Sequence, residues 1–154
     1  FHNFSDSQLE SILATNFTAP FRIAREAIKP MLSQGAGSIV NMGSISGFVA
    51  NKPQLQVAYN SSKAAIHQMT TTMAFEYASR GIRVNALAPG YIISDMTAGG
   101  IENAEWNKIW TENTPMQRFG KPSEMANCAL FLASDAASYV NGATLVADGG
   151  YLTH

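Results

Sequence analysis

Tyr59 and Lys63 stand four residues apart, a spacing that puts a phenol and an ammonium on one face of a helix. A free phenol titrates near pH 10, and a cation held beside it favours the ionised form. A tyrosine tuned in this way can pass a proton to or from a substrate oxygen near neutral pH. Tyrosine and lysine at this spacing also occur as an ordinary surface pair, so the pair takes its weight from its neighbours. Ser44 is the relevant neighbour. It follows a short apolar run, Ser38-Ile39-Val40-Asn41-Met42, and open α/β sheets place their sites at the carboxyl ends of strands. A hydroxyl there can hold a substrate oxygen facing Tyr59.

Positioning these groups requires alternating helices and strands, and the apolar pattern supplies them. Over 5–33 the apolar residues Leu9, Ile12, Leu13, Phe17, Phe21, Ala24, Ile28 and Met31 recur at helical spacing. Ser5 or Asp6 serves as the N-cap, and Gly35-Ala36-Gly37 as the stop. A strand over 38–42 leads into a polar loop, 43–56. A second helix spans 58–79 and ends at Arg80-Gly81. A strand over 82–87 closes at Pro89-Gly90. The stretch 91–121 reads as irregular, with one short helix near 104–110. Pro122-Ser123-Glu124 opens a helix ending near 134, and a last strand, 143–147, stops at Asp148-Gly149-Gly150. Helices between short apolar strands imply right-handed crossovers and a parallel sheet covered on both faces. Three strands are few for such a sheet. The expected fold is therefore α/β: the C-terminal part of a doubly wound, Rossmann-like parallel sheet, with residues 1–154 forming one catalytic half-domain without an internal boundary.

Composition narrows the function classes. Among 154 residues, Lys and Arg number 10 and Asp and Glu 11, a formal net charge of −1. No basic excess is present to neutralise phosphates, which argues against a nucleic-acid partner. Charged residues make up 14% and hydrophobic ones 46%, the balance of a chain with a core rather than a disordered one. No apolar run is long enough for a membrane helix, and nothing resembles a signal peptide; the expected location is the cytoplasm. The single cysteine, Cys128, rules out an internal disulfide framework. His2, His67 and His154 lack metal-ligand spacing and read as surface or core residues.

Taken together, Gly37-Ser38-Ile39-Val40-Asn41-Met42-Gly43-Ser44-Ile45-Ser46-Gly47, Tyr59-x-x-x-Lys63, Arg83-Val84-Asn85-Ala86-Leu87-Ala88-Pro89-Gly90 and Asp148-Gly149-Gly150 resemble the C-terminal half of a short-chain dehydrogenase/reductase. The resemblance implies an NAD- or NADP-dependent oxidoreductase acting on a secondary alcohol or ketone. It makes Tyr59 the general acid/base, Lys63 the residue that lowers its pKa and binds the nicotinamide ribose, and Ser44 the holder of the reacting oxygen. Asn16 matches the family's helix asparagine, whose backbone carbonyl holds a relay water. Pro20, four residues on, has no N–H for that carbonyl, so a kink that leaves it free is expected. Pro89, Gly90, Ile92, Ser94 and Met96 match the loop beside the nicotinamide carboxamide and phosphate.

The family's Gly-rich strand-to-helix turn, its NAD/NADP-discriminating residue and its Asn-Ala-Gly motif are not found. The resemblance therefore implies that roughly 100 residues precede Phe1, at about 30 per βαβ unit. The 154-residue piece alone is expected neither to bind dinucleotide tightly nor to turn over.

The loop between Ser44 and Tyr59 is longer than the commonest family spacing. Its segment Gly47-Phe48-Val49-Ala50-Asn51-Lys52-Pro53-Gln54 resembles that of galactitol-type polyol dehydrogenases. Ser46 and Asn51 are by that resemblance candidates to touch substrate hydroxyls, or else members of an exposed polar loop. The stretch 91–121 would form a lid. Trp106 and Trp110 share a face in it, to wall the pocket, meet a neighbour or, as the foremost expectation, pack within the lid. Glu102, Glu105 and Glu112 against Lys108 make the lid mildly acidic, which disfavours a phosphorylated or CoA-linked substrate. A ketoacyl or steroid-type reductase and a non-catalytic oligomerising subunit are the alternatives. The helices 5–33 and 58–79 carry faces that family members use to form dimers and tetramers.

Overall fold

The structure is a computed structural model that describes residues 1–153. The stripe expected as one helix over 5–33 is built in three pieces: α1 (Asp6–Leu13), a π-helical turn (Ala14–Thr18) and α2 (Ala19–Gln34). Ser5 begins α1 with a capping box. Its hydroxyl accepts from the Gln8 amide at 3.3 Å, and Gln8 Oε1 accepts from the Ser5 amide at 3.0 Å. Pro20 gives the π turn a physical reason. It cannot donate to the Asn16 carbonyl, and the helix answers by widening, so that Ala19 N–H bonds Ala14 O five residues back. The expected kink is thus realised as an inserted residue. α2 stops at Gly35, whose φ of 68° is the left-handed conformation a helix stop favours.

β1 (Gly37–Met42), α3 (Val57–Tyr77), β2 (Ile82–Pro89), α4 (Asp95–Glu102), α5 (Ala104–Glu112), α6 (Pro122–Ala133) and β3 (Thr144–Ala147) follow. The sequence reading left α4 irregular because Gly99 and Gly100 depress helix propensity. The cap offsets that cost: Ser94 N–H donates to Thr97 Oγ1 at 3.1 Å, and Thr97 N–H to Ser94 O at 3.0 Å.

The three strands form one parallel sheet in the order β1-β2-β3, with Met42 beside Leu87 and Pro89 beside Ala147. β2 lies in the middle, and Val84, Ala86, Leu87 and Ala88 on it are fully buried. Successive strand residues point to opposite faces, and β2 shows what covers each. Val84 packs in a cluster with Ile28 of α2 and Ala74 of α3. Its neighbour Arg83 reaches the carbonyls of Leu132 at 2.9 Å and Ser134 at 3.0 Å, at the end of α6. Helices therefore cover both faces, as the α/β reading expects. Each fully buried Val or Ile in the cluster contributes about 1.5–3 kcal/mol relative to an exposed one.

Two asparagines hold β3 against β2. Asn85 donates to Val140 O at 2.8 Å and accepts from Ala143 N–H at 3.0 Å. Asn141 accepts from Val84 N–H at 2.9 Å and donates to Ala74 O at 3.1 Å. No helix among the described residues is long and apolar enough to cross a membrane.

Candidate active site

The site forms where β1 ends. Gly43 N–H bonds Leu87 O at 2.8 Å, so the first residue past the strand is still fixed to β2. The chain then turns, and Ser44 opens the short 3₁₀ turn Ile45–Gly47 with its hydroxyl accepting from Ser46 N–H at 3.1 Å. Ser44 N–H donates to His67 Nε2 on α3 at 3.4 Å. Ser44 is buried, at 8% exposure.

α3 supplies the other two groups from successive turns. Lys63 Nζ stands 5.6 Å from the centroid of the Tyr59 ring and donates to Met42 O at 3.0 Å. The ammonium thus bridges the end of β1 and the tyrosine. The Ser44 hydroxyl is the hydrogen-bonding neighbour of the Tyr59 phenol. The structure therefore brings Ser44, Tyr59 and Lys63 to one place from 19 positions of sequence, counting from Ser44 to Lys63.

The electrostatics differ from the sequence expectation. Burial pushes the Tyr59 phenol above its ordinary value, and the Ser44 hydroxyl offsets this only in part. Lys63 lies against the ring and is tied to Met42 O, and burial pushes its own pKa down. Burial therefore favours the protonated phenol.

Asn16 sits in the π turn. Its side chain donates to Ser62 Oγ at 3.1 Å, and Ser62 Oγ donates to Tyr59 O at 2.7 Å. The link fastens the π turn to the helix turn that carries Tyr59. The donor set fits a nicotinamide ribose. An ammonium has three N–H donors, Met42 O takes one from Lys63, and the other two match a pair of vicinal hydroxyls.

The loop residues Ser46 and Asn51 are buried, and their polar atoms are engaged by the loop, by α3 and by Tyr91. Gln56 donates to Ser46 Oγ at 3.3 Å and to Asn51 Oδ1 at 3.0 Å, and Asn60 donates to Asn51 Oδ1 at 3.3 Å. Both residues line a cleft of about 530 Å³ with Phe1, Phe4, Phe48 and Leu55, a lining that includes none of Ser44, Tyr59 and Lys63. Ser46 is joined to the reacting centre through its backbone, whose N–H donates to Ser44 Oγ at 3.1 Å.

Sequence reasoning missed a clasp between this loop and the stretch 91–121. Tyr91 Oη accepts from Gln54 at 2.9 Å and from Asn51 at 3.3 Å. Trp110 Nε1 donates to Lys52 O and Gln54 Oε1, each at 3.1 Å, and its ring stacks on Tyr91 at 4.3 Å. Burial pushes the Tyr91 phenol up to about 12, although Asn51 and Gln54 oppose the shift. Trp110 packs as the foremost sequence expectation had it. Its partners Gln54 and Tyr91 lie 56 and 19 positions away, beyond any local pattern.

The segment after β2 leaves the sheet next to β1. Gly90 N–H bonds Ala147 O at 3.0 Å, and Ile93 N–H bonds Gly120 O at 2.9 Å, so Pro89, Gly90 and Ile92 lie on a backbone fixed from both sides. Ser94 and Met96 open α4, where Ser94 Oγ lies 3.2 Å from Thr97 Oγ1 and Met96 is 82% exposed. No group of His, Cys, Asp and Glu among the described residues could hold a metal ion.

A family model described as enoyl-(acyl carrier protein) reductase matches residues 1–152. The chain is 49% identical over 146 residues to a galactitol 2-dehydrogenase (L-tagatose-forming) of Cereibacter sphaeroides, covering 95% of this chain and 58% of that protein. It is 40% identical over 147 residues to a 3-oxoacyl-(acyl-carrier-protein) reductase of Rickettsia felis, covering 96% and 59%. It superimposes on a gluconate 5-dehydrogenase from Burkholderia cenocepacia, solved with NADP and tartrate, with a TM-score of 0.95 at 30% identity, covering 99% of this chain and 59% of that one. The chain thus spans just under three fifths of the length of these relatives.

Proposed function

The chain belongs to the short-chain dehydrogenase/reductase family, and on that premise we propose that the whole protein interconverts a secondary alcohol of a polyol with its ketone, using NAD or NADP. The observation that carries this reading is the meeting of the Ser44 hydroxyl, the Tyr59 phenol and the Lys63 ammonium at the end of β1. When bound, the nicotinamide supplies the partner for hydride exchange with the substrate carbon. In oxidation the ionised Tyr59 oxygen accepts the proton of the alcohol oxygen while Ser44 Oγ holds that oxygen. In reduction Tyr59 returns the proton to the carbonyl oxygen. Lys63 binds ribose hydroxyls through its two remaining N–H donors. The Asn16 carbonyl, which Pro20 cannot bond, is the place for a water that refills the proton at Lys63. The backbone at Pro89, Gly90 and Ile92 faces the carboxamide, with Ser94 and Met96 beside it.

Three points favour a polyol over an acyl thioester: the 49% identity to a galactitol dehydrogenase, the resemblance of the 47–54 segment to that group, and the mildly acidic stretch 91–121. Ser46 and Asn51 act on the substrate through the shape of their loop. We also propose that the protein works as a dimer or tetramer through the faces of α1, α2 and α3, free of nucleic acid and membrane, in the cytoplasm.

The test is a panel of galactitol, arabinitol, a hydroxysteroid and a 3-oxoacyl thioester, each with both dinucleotides. Turnover of a polyol, lost by a factor of at least about 100 in Tyr59→Phe, is expected. Preference for the thioester transfers the assignment to a ketoacyl reductase. Absence of turnover with folded protein and every substrate would leave the non-catalytic subunit. Because burial favours the protonated Tyr59 phenol, polyol oxidation should rise as pH climbs toward the phenol's pKa, while ketone reduction stays level over the neutral range.

A further inference from the structure

His67 occupies a position in α3 that a plain hydrophobic residue would fill at lower cost. It is 8% exposed, and its Nδ1 is buried with no hydrogen-bond partner among the described residues. A buried unpaired donor or acceptor costs about 1–3 kcal/mol, so the imidazole calls for a reason. The reason lies at its other nitrogen, which accepts the Ser44 N–H at 3.4 Å. Tyr59, Lys63 and His67 follow one another at four-residue steps, so they form a single stripe on α3. The turn that carries Ser44 lies across this stripe. Gly43 and Gly47 flank the ring so closely that a Cβ on either would overlap it. Phe48 stacks on the ring at 4.4 Å with an interplanar angle of 30°. The imidazole is therefore flanked by Gly43, Ser44, Gly47 and Phe48, and it touches Ser44 through the one ring nitrogen that has a hydrogen-bond partner among the described residues.

We propose that His67 is the positioning residue for Ser44: its neutral imidazole accepts the Ser44 N–H and seats the 43–48 turn so that the Ser44 hydroxyl meets the Tyr59 phenol. The inference rests on the dehydrogenase reading for its catalytic consequence, but not for the hydrogen bond itself. Since Nε2 accepts, the ring proton must stand on Nδ1. Burial and the neighbouring Lys63 ammonium both favour the neutral ring, in keeping with this arrangement. His67 touches neither substrate nor cofactor in this scheme. It acts through Ser44 alone.

Two measurements on the whole protein test this. Nitrogen-15 NMR of the histidine ring should find Nδ1 protonated and Nε2 an acceptor in the unmodified protein; a ring protonated at Nε2 overturns the proposal, whatever the enzyme does. Kinetics supply the second arm. His67→Leu keeps the volume and removes the acceptor, and should lower kcat roughly 10- to 100-fold while leaving KM for the dinucleotide unchanged, the scale expected from a shift of about 1 Å in a reacting group. His67→Gln offers an amide oxygen near the place of Nε2 and should restore most of kcat. Unchanged kcat in a folded His67→Leu protein would overturn the proposal. Should the unmodified protein turn over nothing, the dehydrogenase reading fails, and the ring spectrum still decides the seat.

Discussion

The two loops that leave neighbouring strand ends are held by different means. The turn after β1 is fixed by backbone and small residues: Gly43 N–H on Leu87 O, Ser44 N–H on His67, and two glycines flat against the imidazole. The stretch after β2 is tied at its start by Gly90 N–H on Ala147 O and Ile93 N–H on Gly120 O, and beyond that by aromatic rings. Trp110 stacks on Tyr91 and meets Trp106 and Phe119 edge-on, with centroids 5.7 and 6.4 Å away. A backbone seated on a helix leaves little room for drift, which suits groups that must meet a reacting atom within tenths of an ångström. Rings packed on rings tolerate exchange of partners more readily, which suits a lid that must fit a particular substrate. Under the proposed function the contrast separates chemistry from selection, and the clasp of Asn51, Lys52 and Gln54 with Tyr91 and Trp110 hydrogen-bonds the two loops together.

The contrast can be broken at either loop. The largest effect is expected from Ser44→Ala, which removes the oxygen-holding hydroxyl and the acceptor of Ser46 N–H but keeps Ser44 N–H on His67. It should lower kcat by about 100-fold, the scale of losing one donor to a developing oxyanion, with stability lowered only by the lost cap, about 1 kcal/mol. Trp110→Ala should do the reverse. Truncating a buried tryptophan costs about 3–5 kcal/mol, so calorimetry should show lost stability, and KM for the polyol should rise more than kcat falls. Tyr91→Phe keeps the stacked ring and removes one acceptor from two amides, for a loss of about 1 kcal/mol. It carries a sharper signature in alkali. Tyr91 is pushed up to about 12, so the folded state favours the neutral phenol. The corresponding stability is complete below the ordinary phenol pKa of about 10 and fades as pH rises from there toward 12. Tyr91→Phe should flatten that part of the decline in a melting-temperature profile. The smallest effect belongs to Glu124, lowered to about 2 by the Arg118 guanidinium and the Lys121 N–H. Its contribution is present above the ordinary carboxylate range and is lost as pH falls toward 2, so Glu124→Gln should soften the acid limb and leave neutral stability alone.

What could be read from the sequence was what depends on near neighbours. The Tyr59 to Lys63 step, the N-cap at Ser5 (one of the two residues the sequence offered, with Asp6) and the glycine stop at Gly35 are local, and all three stand where the spacing put them. The strand limits moved by at most a residue or two, because period and punctuation define them. The π turn was half legible: Pro20 announced a fault in the helix, but whether a helix bends or widens depends on what it packs against. α4 was hidden by Gly99 and Gly100, whose poor propensity its cap outweighs. The direction of the Tyr59 shift was not legible either. Spacing promised a cation nearby, whereas burial, a property of the whole fold, sets the sign. His67 could be read as a core residue, but its service to Ser44 joins positions 23 apart and has no local trace.

The inserted residue between Ala14 and Thr18 has a geometric consequence of its own. One residue in a helix corresponds to about 100° of rotation, so α1 and α2 are wound out of phase by that amount. α1 keeps its bearing toward α3, and α2 keeps Ile28 turned into the sheet. A chain shortened by one residue at this point could wind regularly, but only by swinging one of those two faces out to solvent. The length of this short segment is therefore as firmly specified as its composition.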